Sequence, residues 1–214
     1  MPGSDSYTRL LVATTNKKKL GEIQELFAGF QLRLLSLADL PACQEIPETG
    51  KTFKDNAVLK ALGYAHQSGL LTMAEDSGLC CDALEGAPGV YSARFAGGPC
   101  DDEANNSKLL KLLNKIPDNC RGAHYTSAIA IAYPREGLIG VVEGEVHGVI
   151  SRELRGTHGF GYDPLFFYPA YGKTFGEVSA EMKHRVSHRA KAFEKAKVLL
   201  KQHLKIWAVQ DSNL

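Results

Sequence analysis

The hydrophobic pattern of this chain changes period several times, and each change predicts an element. Residues 9–13 (RLLVA) form a short apolar run, which predicts a buried strand. The run ends at Thr14-Thr15-Asn16, residue types that cap helix N-termini. Leu20, Ile23, Leu26 and Phe27 then recur at helical spacing. Residues 32–37 predict a second strand, and residues 41–50 a loop carrying Glu45 and Glu48. From Thr52 to Ser68 the period is helical, with Phe53, Ala57, Leu62 and Ala65 on the expected core face and Gly69 as the stop. Residues 70–74 predict a third strand, ending in a polar turn at Glu75-Asp76-Ser77-Gly78.

Residues 85–99, with Gly86, Pro88, Gly89, Gly97, Gly98 and Pro99, read as a long irregular connection. A helix is expected from about Asp101 to Asn114. Residues 123–133 and 138–150 predict two strands joined at Pro134–Gly137, hence an antiparallel hairpin. A glycine-bearing loop covers residues 156–164. The last helix is expected from Ser187 to Leu204, with Ala190, Phe193, Ala196, Val198 and Leu200 inward and its lysines outward. There is no internal repeat, low-complexity tract or linker between independent domains. Residues 1–8 read as a short disordered leader.

Composition narrows the class. An apolar fraction of 44% and a charged fraction of 23% over 214 residues are those of an ordinary globular protein. A formal net charge of +1 gives no electrostatic case for nucleic acid or for an anionic membrane surface. No apolar run approaches a membrane span. Cys43, Cys80, Cys81, Cys100 and Cys120 lack a metal-like framework, so reduced thiols in a cytoplasmic protein are expected.

Against this background, four segments carry candidate chemistry. Thr14-Thr15-Asn16-Lys17-Lys18-Lys19 sits where a strand becomes a helix. A helix N-terminus offers free N–H groups to an anion, and lysines there oppose the macrodipole unless an anion arrives. The alternative is a solvated basic turn. Glu75-Asp76-Ser77-Gly78, with Glu45 and Glu48 on a loop placed to face it, offers carboxylates suited to Mg²⁺ or to activating a water. Taken alone it is an acidic turn. Asn56 and Lys60 lie four apart on one helix face and would extend a phosphate site, or be ordinary helix surface. His158-Gly159-Phe160-Gly161-Tyr162-Asp163-Pro164 and Ser187-His188-Arg189 combine aromatic rings, hydrogen-bonding groups and cations suited to a planar anionic ligand, a nucleotide above all. In isolation these are a tight turn and a helix cap.

In this order, TTNKKK at 14–19, ETGKTFKDNAVLKA at 48–61, AEDSGLCCDALEGAPGVYSARFAG at 74–97, FGYDPLF at 160–166 and SHR at 187–189 resemble the Ham1-like inosine triphosphate pyrophosphatase family. The resemblance runs from about Arg9 to His203. It implies an elongated, two-lobed α/β fold around a long twisted mixed sheet, with a cleft between the lobes. It implies one catalytic domain over residues 9–205 with a tail at 206–214, and a homodimer. The implied activity is Mg²⁺-dependent hydrolysis of ITP, dITP and XTP to the monophosphate and pyrophosphate. By the resemblance, Thr14, Asn16 and Lys19 match the phosphate-binding turn, within which Thr15, Lys17 and Lys18 also fall. Glu48 and Asp76 match the metal carboxylates, with Asp76 also the general base and Ser77 a substrate contact. Phe160, Gly161, Tyr162 and Asp163 match the base-binding loop, and Lys183, Ser187, His188 and Arg189 the remaining base contacts. Glu75, His158 and Cys80-Cys81 depart from the family's usual residues without removing a required group.

A 6-keto purine presents an acceptor where adenine presents an amino donor, so His188, Arg189 and Lys183 would pair with the former and reject the latter. Two other readings stand beside this one. A pyrophosphatase for modified pyrimidine or methylated nucleotides is disfavoured by the FGYDP and SHR segments. A non-catalytic nucleotide sensor would lack Asp76 or Glu48, and both are present.

Overall fold

The computed structural model describes residues 8–14, 20, 23, 24, 27, 32–98 and 101–211, with side chains through residue 204. Seven strands form one mixed sheet: β1 (Thr8–Val12), β2 (Leu32–Ser36), β3 (Leu71–Cys81), β4 (Gly122–Tyr133), β5 (Gly137–Ile150), β6 (Phe166–Tyr168) and β7 (Lys173–Thr174), in the order β2-β1-β3-β4-β5-β6-β7. β1 is parallel to β2 and β3, while β6 is antiparallel to both of its neighbours, β5 and β7. The three residues between β4 and β5 leave room only for an antiparallel hairpin, as expected. The principal helices are α1 (Phe53–Ser68), α2 (Asp102–Leu112), α3 (Ala180–His184) and α4 (His188–Asp211).

The chain divides into two compact units. The first comprises residues 1–76, 128–142 and 193–214, the second residues 77–127 and 143–192. In the first, Leu10, Leu11 and Val12 of β1 and Ile129 and Ile131 of β4 are buried, as are Ala57, Ala61, Tyr64 and Ala65 on α1. Helix α1 begins at a reciprocal cap: Thr52 Oγ1 accepts the Asp55 N–H and Asp55 Oδ2 accepts the Thr52 N–H, each at 3.1 Å. In the second unit Leu79, Leu109, Tyr125, Val146, Leu165, Phe166 and Phe175 form the core, with the rings of Tyr125 and Phe166 4.7 Å apart and those of Phe166 and Phe175 4.9 Å apart.

Several sequence expectations need correction. Leu62 and Val198 are exposed, and Ala61, Tyr64 and Ala192 are buried on those helices instead. An aliphatic side chain just off the apolar stripe is easily misassigned when the helix phase is set by few residues. More consequentially, Glu75-Asp76-Ser77-Gly78 is not a turn: β3 runs through it to Cys81. β3 outlasts β1, whose pairing ends with Val12 opposite Met73, and β3 continues beside β4. Sheet pairing thus overrides the local turn preference of Asp-Ser-Gly. Strands β6 and β7 and helix α3 are additional, too short to leave a period in the sequence. Helix α4 also continues to Asp211, past Leu204. The helix expected near residues 16–27 lies largely outside the described residues, although the Phe27 N–H donates to the Ile23 carbonyl at 2.9 Å. No described helix is long and apolar enough to cross a membrane.

Candidate active site

In the first unit, the end of β1 and the middle of β3 bring polar groups together. The Ala13 N–H donates to the Met73 carbonyl at 2.8 Å, which carries the chain along β3 as far as Thr14. Thr14 and Glu75 then line one small cavity with Val12, Ile23, Met73 and Phe193. This is the carboxyl end of parallel strands, where open α/β sheets place ligands. Thr15, Asn16, Lys17, Lys18 and Lys19 lie outside the described residues.

Asp76 stands next on β3, and two donors converge on it. Asn56, fully buried on α1, donates from Nδ2 to Asp76 Oδ2 at 3.0 Å. Its own Oδ1 accepts the Gly50 N–H at 2.7 Å, which fixes the amide so that the donor faces Asp76. Lys60 lies one turn further along α1, with Nζ 2.7 Å from Glu48 Oε1 and 3.4 Å from Asp76 Oδ1. The expected helix-face pair of Asn56 and Lys60 is therefore real, but it holds a carboxylate. Burial pushes the Asp76 carboxyl above the ordinary aspartate range; the Lys60 ammonium and the Asn56 hydrogen bond pull back, and the Glu48 charge adds to the rise. A carboxylate raised by burial yet held by two donors suits a general base. Glu48 and Asp76 thus come together through Lys60. Ser77 follows on the same strand.

The second unit carries the aromatic loop. Asp163, 1% exposed, accepts the Phe160 N–H on Oδ2 at 2.9 Å, and the same oxygen takes the Lys183 ammonium. Gly159 has φ +78°, and a Cβ there would collide with Asp163 Oδ2, so only glycine lets the loop wrap its aspartate so closely. The Asp163 carbonyl accepts the Gly176 N–H at 2.9 Å, tying the loop to the segment after β7. Phe160 is left 59% exposed, with Lys183 Nζ 4.6 Å and Arg189 Cζ 5.7 Å from its ring centroid. Tyr162, the loop's other ring, is buried and donates its hydroxyl to the Ser92 carbonyl at 2.8 Å.

Helix α4 starts beside this loop's partners. Ser187 Oγ accepts the Ala190 N–H at 3.2 Å as its cap. His188 is buried and stacks on Tyr125, with centroids 4.8 Å and planes 11° apart. The helix passes so close to β5 that a Cβ on Gly144 would strike the His188 carbonyl and the Ala192 N–H group. Phe160, Lys183 and Arg189 are therefore grouped in space, while Tyr162, Asp163 and His188 present buried side chains. The described cysteines, Cys43, Cys80, Cys81 and Cys120, are free thiols, and burial pushes Cys81 up to about 12.

The class so defined is an α/β protein with a lysine-bridged carboxylate pair and an aromatic loop flanked by cations. The chain belongs to the Ham1 family, whose model matches residues 10–199. It is 51% identical over 192 residues to a dITP/XTP pyrophosphatase of Desulforamulus reducens, covering 90% of this chain and 95% of that protein. Its likeness to a dITP/XTP pyrophosphatase of Geobacter sulfurreducens is 50% over 197 residues, covering 92% and 96% of the two chains. Among solved structures, a HAM1 protein from Coxiella burnetii superposes with a TM-score of 0.86 at 36% identity, covering 91% of this chain and 99% of that one.

Proposed function

We propose that this protein is a nucleoside triphosphate pyrophosphatase that hydrolyses the noncanonical purine nucleotides ITP, dITP and XTP to the monophosphate and pyrophosphate. The observation that carries the reading is the buried Asp76 carboxylate, oriented by Asn56 and charge-matched by Lys60, in a chain half identical to dITP/XTP pyrophosphatases. In the reaction, the oxygen of a water forms a bond to the α-phosphorus as its proton passes to Asp76. The bond from that phosphorus to the bridging oxygen breaks, and pyrophosphate leaves. Lys60 offsets the developing negative charge.

Glu48 and Asp76 are the residues that would hold Mg²⁺. Two hard carboxylates already directed at one cation, Lys60, fit such an ion. When bound, it would neutralise triphosphate charge and polarise the phosphoryl group. Thr14, with Thr15, Asn16, Lys17, Lys18 and Lys19, is assigned to the phosphates. Ser77 is assigned a substrate contact. Phe160 is assigned to the purine face, and Gly161, Tyr162, Asp163, Lys183, His188 and Arg189 to forming its site. We further infer one catalytic domain made of both units, acting as a homodimer in the cytoplasm.

The test is pyrophosphate release from ITP, XTP, dITP, GTP and ATP, with and without Mg²⁺. ITP, XTP and dITP are expected to react well ahead of GTP and ATP, and only with the metal; equal rates on all five would overturn the reading. Arg189→Ala gives a second check. Loss of a charged donor to the 6-keto oxygen costs about 1.5–3 kcal/mol. Efficiency on ITP is therefore expected to fall about tenfold or more, with a smaller fall on ATP. Equal losses on both would move Arg189 to the phosphates or the fold.

A further inference from the structure

Two side chains on α2 hold a single residue of the aromatic loop from both sides. Asp102 Oδ2 accepts the Gly161 N–H at 2.6 Å, and Asn106 Nδ2 donates to the Gly161 carbonyl at 2.8 Å. Asp102 and Asn106 are four apart, hence on one helix face. They grip the two peptide groups that flank Gly161, whose φ is +61°. A residue held at both its N–H and its carbonyl cannot rotate without breaking one bond, and its neighbour Phe160 is tied at the other end to Asp163. The exposed Phe160 ring therefore stands on a backbone fixed from two directions.

Helix docking alone does not account for this grip. Asn105 already anchors α2, accepting the Ala96 N–H at 2.7 Å and donating to the Ala93 carbonyl at 3.2 Å. Asn106 is buried, and its Oδ1 has no hydrogen-bond partner among the described residues. A buried orphan acceptor costs stability that a leucine of similar size would avoid. The amide is kept at a cost, and the one side-chain bond it makes among the described residues is to Gly161.

We propose that Asp102 and Asn106 are specificity-determining positioning residues: they set the Gly161 backbone, and through it the Phe160 ring, for a 6-keto purine. The inference rests on the proposed pyrophosphatase reading. A displaced ring weakens recognition of the preferred base, while a disfavoured base has less recognition to lose.

The experiment measures kcat and KM on ITP and ATP, together with melting temperature, for wild type, Asn106→Leu, Asp102→Ala and Asp102→Asn. Asn106→Leu and Asp102→Ala are expected to lower kcat/KM on ITP about tenfold, chiefly through KM. They should narrow the ITP-to-ATP ratio, with Asn106→Leu melting no lower than wild type. Asp102→Asn keeps an acceptor for the Gly161 N–H and should restore the ratio. Equal proportional losses on ITP and ATP, or melting points that fall in step with activity, would overturn the assignment and make α2 a plain support. Asp102 is exposed, so its variants remain informative if Asn106→Leu does not fold. A wild-type enzyme without preference for ITP would instead defeat the functional reading, and this inference with it.

Discussion

Asp76→Asn should lower turnover of ITP by at least about 10²-fold, the contribution of a positioned general base, without lowering the melting temperature of the ligand-free protein. The amide keeps the shape of the carboxylate but takes no proton and binds a divalent cation poorly. The stability half of the result follows from the raised carboxyl. Between the unfolded value of 3.8 and the higher folded value, the native state holds a proton that the unfolded state has released. Stability therefore falls as pH rises through that window. A neutral residue escapes this penalty, so the variant should melt at or above the wild type at pH 7, with the difference shrinking in acid. Wild-type turnover should rise with pH as Asp76 ionises. Thermal melts across pH and single-turnover rates decide the matter; a variant that turns over within a few-fold of wild type would remove Asp76 from the reaction.

The largest stability effect is expected at Asp163. Replacing it with alanine leaves Lys183, whose side chain is only 15% exposed, without its carboxylate, and strips the Phe160 N–H of its acceptor. Removing one partner of a buried pair costs roughly 3–5 kcal/mol, which at this chain length lowers the melting temperature by on the order of 10 °C. Pairing the change with Lys183→Met removes the stranded charge and should recover much of the stability. Affinity for ITP should stay low in both, because the Phe160 loop has lost its inner tie. Calorimetry and substrate titration separate these two effects. A single variant that melts within about 2 °C of wild type, well inside the shift that such a loss requires, would show the pair to be a weak surface contact.

Much of this was legible in the sequence because the informative residues lie in runs. The alternation around β4 and β5, the helical period of α1 with Thr52 and Gly69 at its ends, and Asp101 at the start of α2 all mark their elements locally. The motif order named the family. The sequence misled at Asp76, where turn-forming residues sit inside a strand because pairing with β4 is a long-range fact. It was silent on Asp102 and Asn106: their shared helix face is visible, but their partner lies more than fifty residues away. Asn56 and Lys60 were legible as a pair, but their target was not, since nothing in residues 53–68 tells of Asp76 across the connection to β3.

The way the chain is shared between its two units bears on how such an enzyme can be altered by recombination. Each unit is assembled from separated stretches, with boundaries after residues 76, 127, 142 and 192. A single crossover with a relative cannot exchange the aromatic-loop unit intact. Grafting that unit requires residues 77–127 and 143–192 together, with junctions inside β3, β4 and β5 and within the first turns of α4. On the proposed assignment of the base to the Phe160 loop, such junctions make inheritance of that preference as a block difficult and favour change by single substitutions.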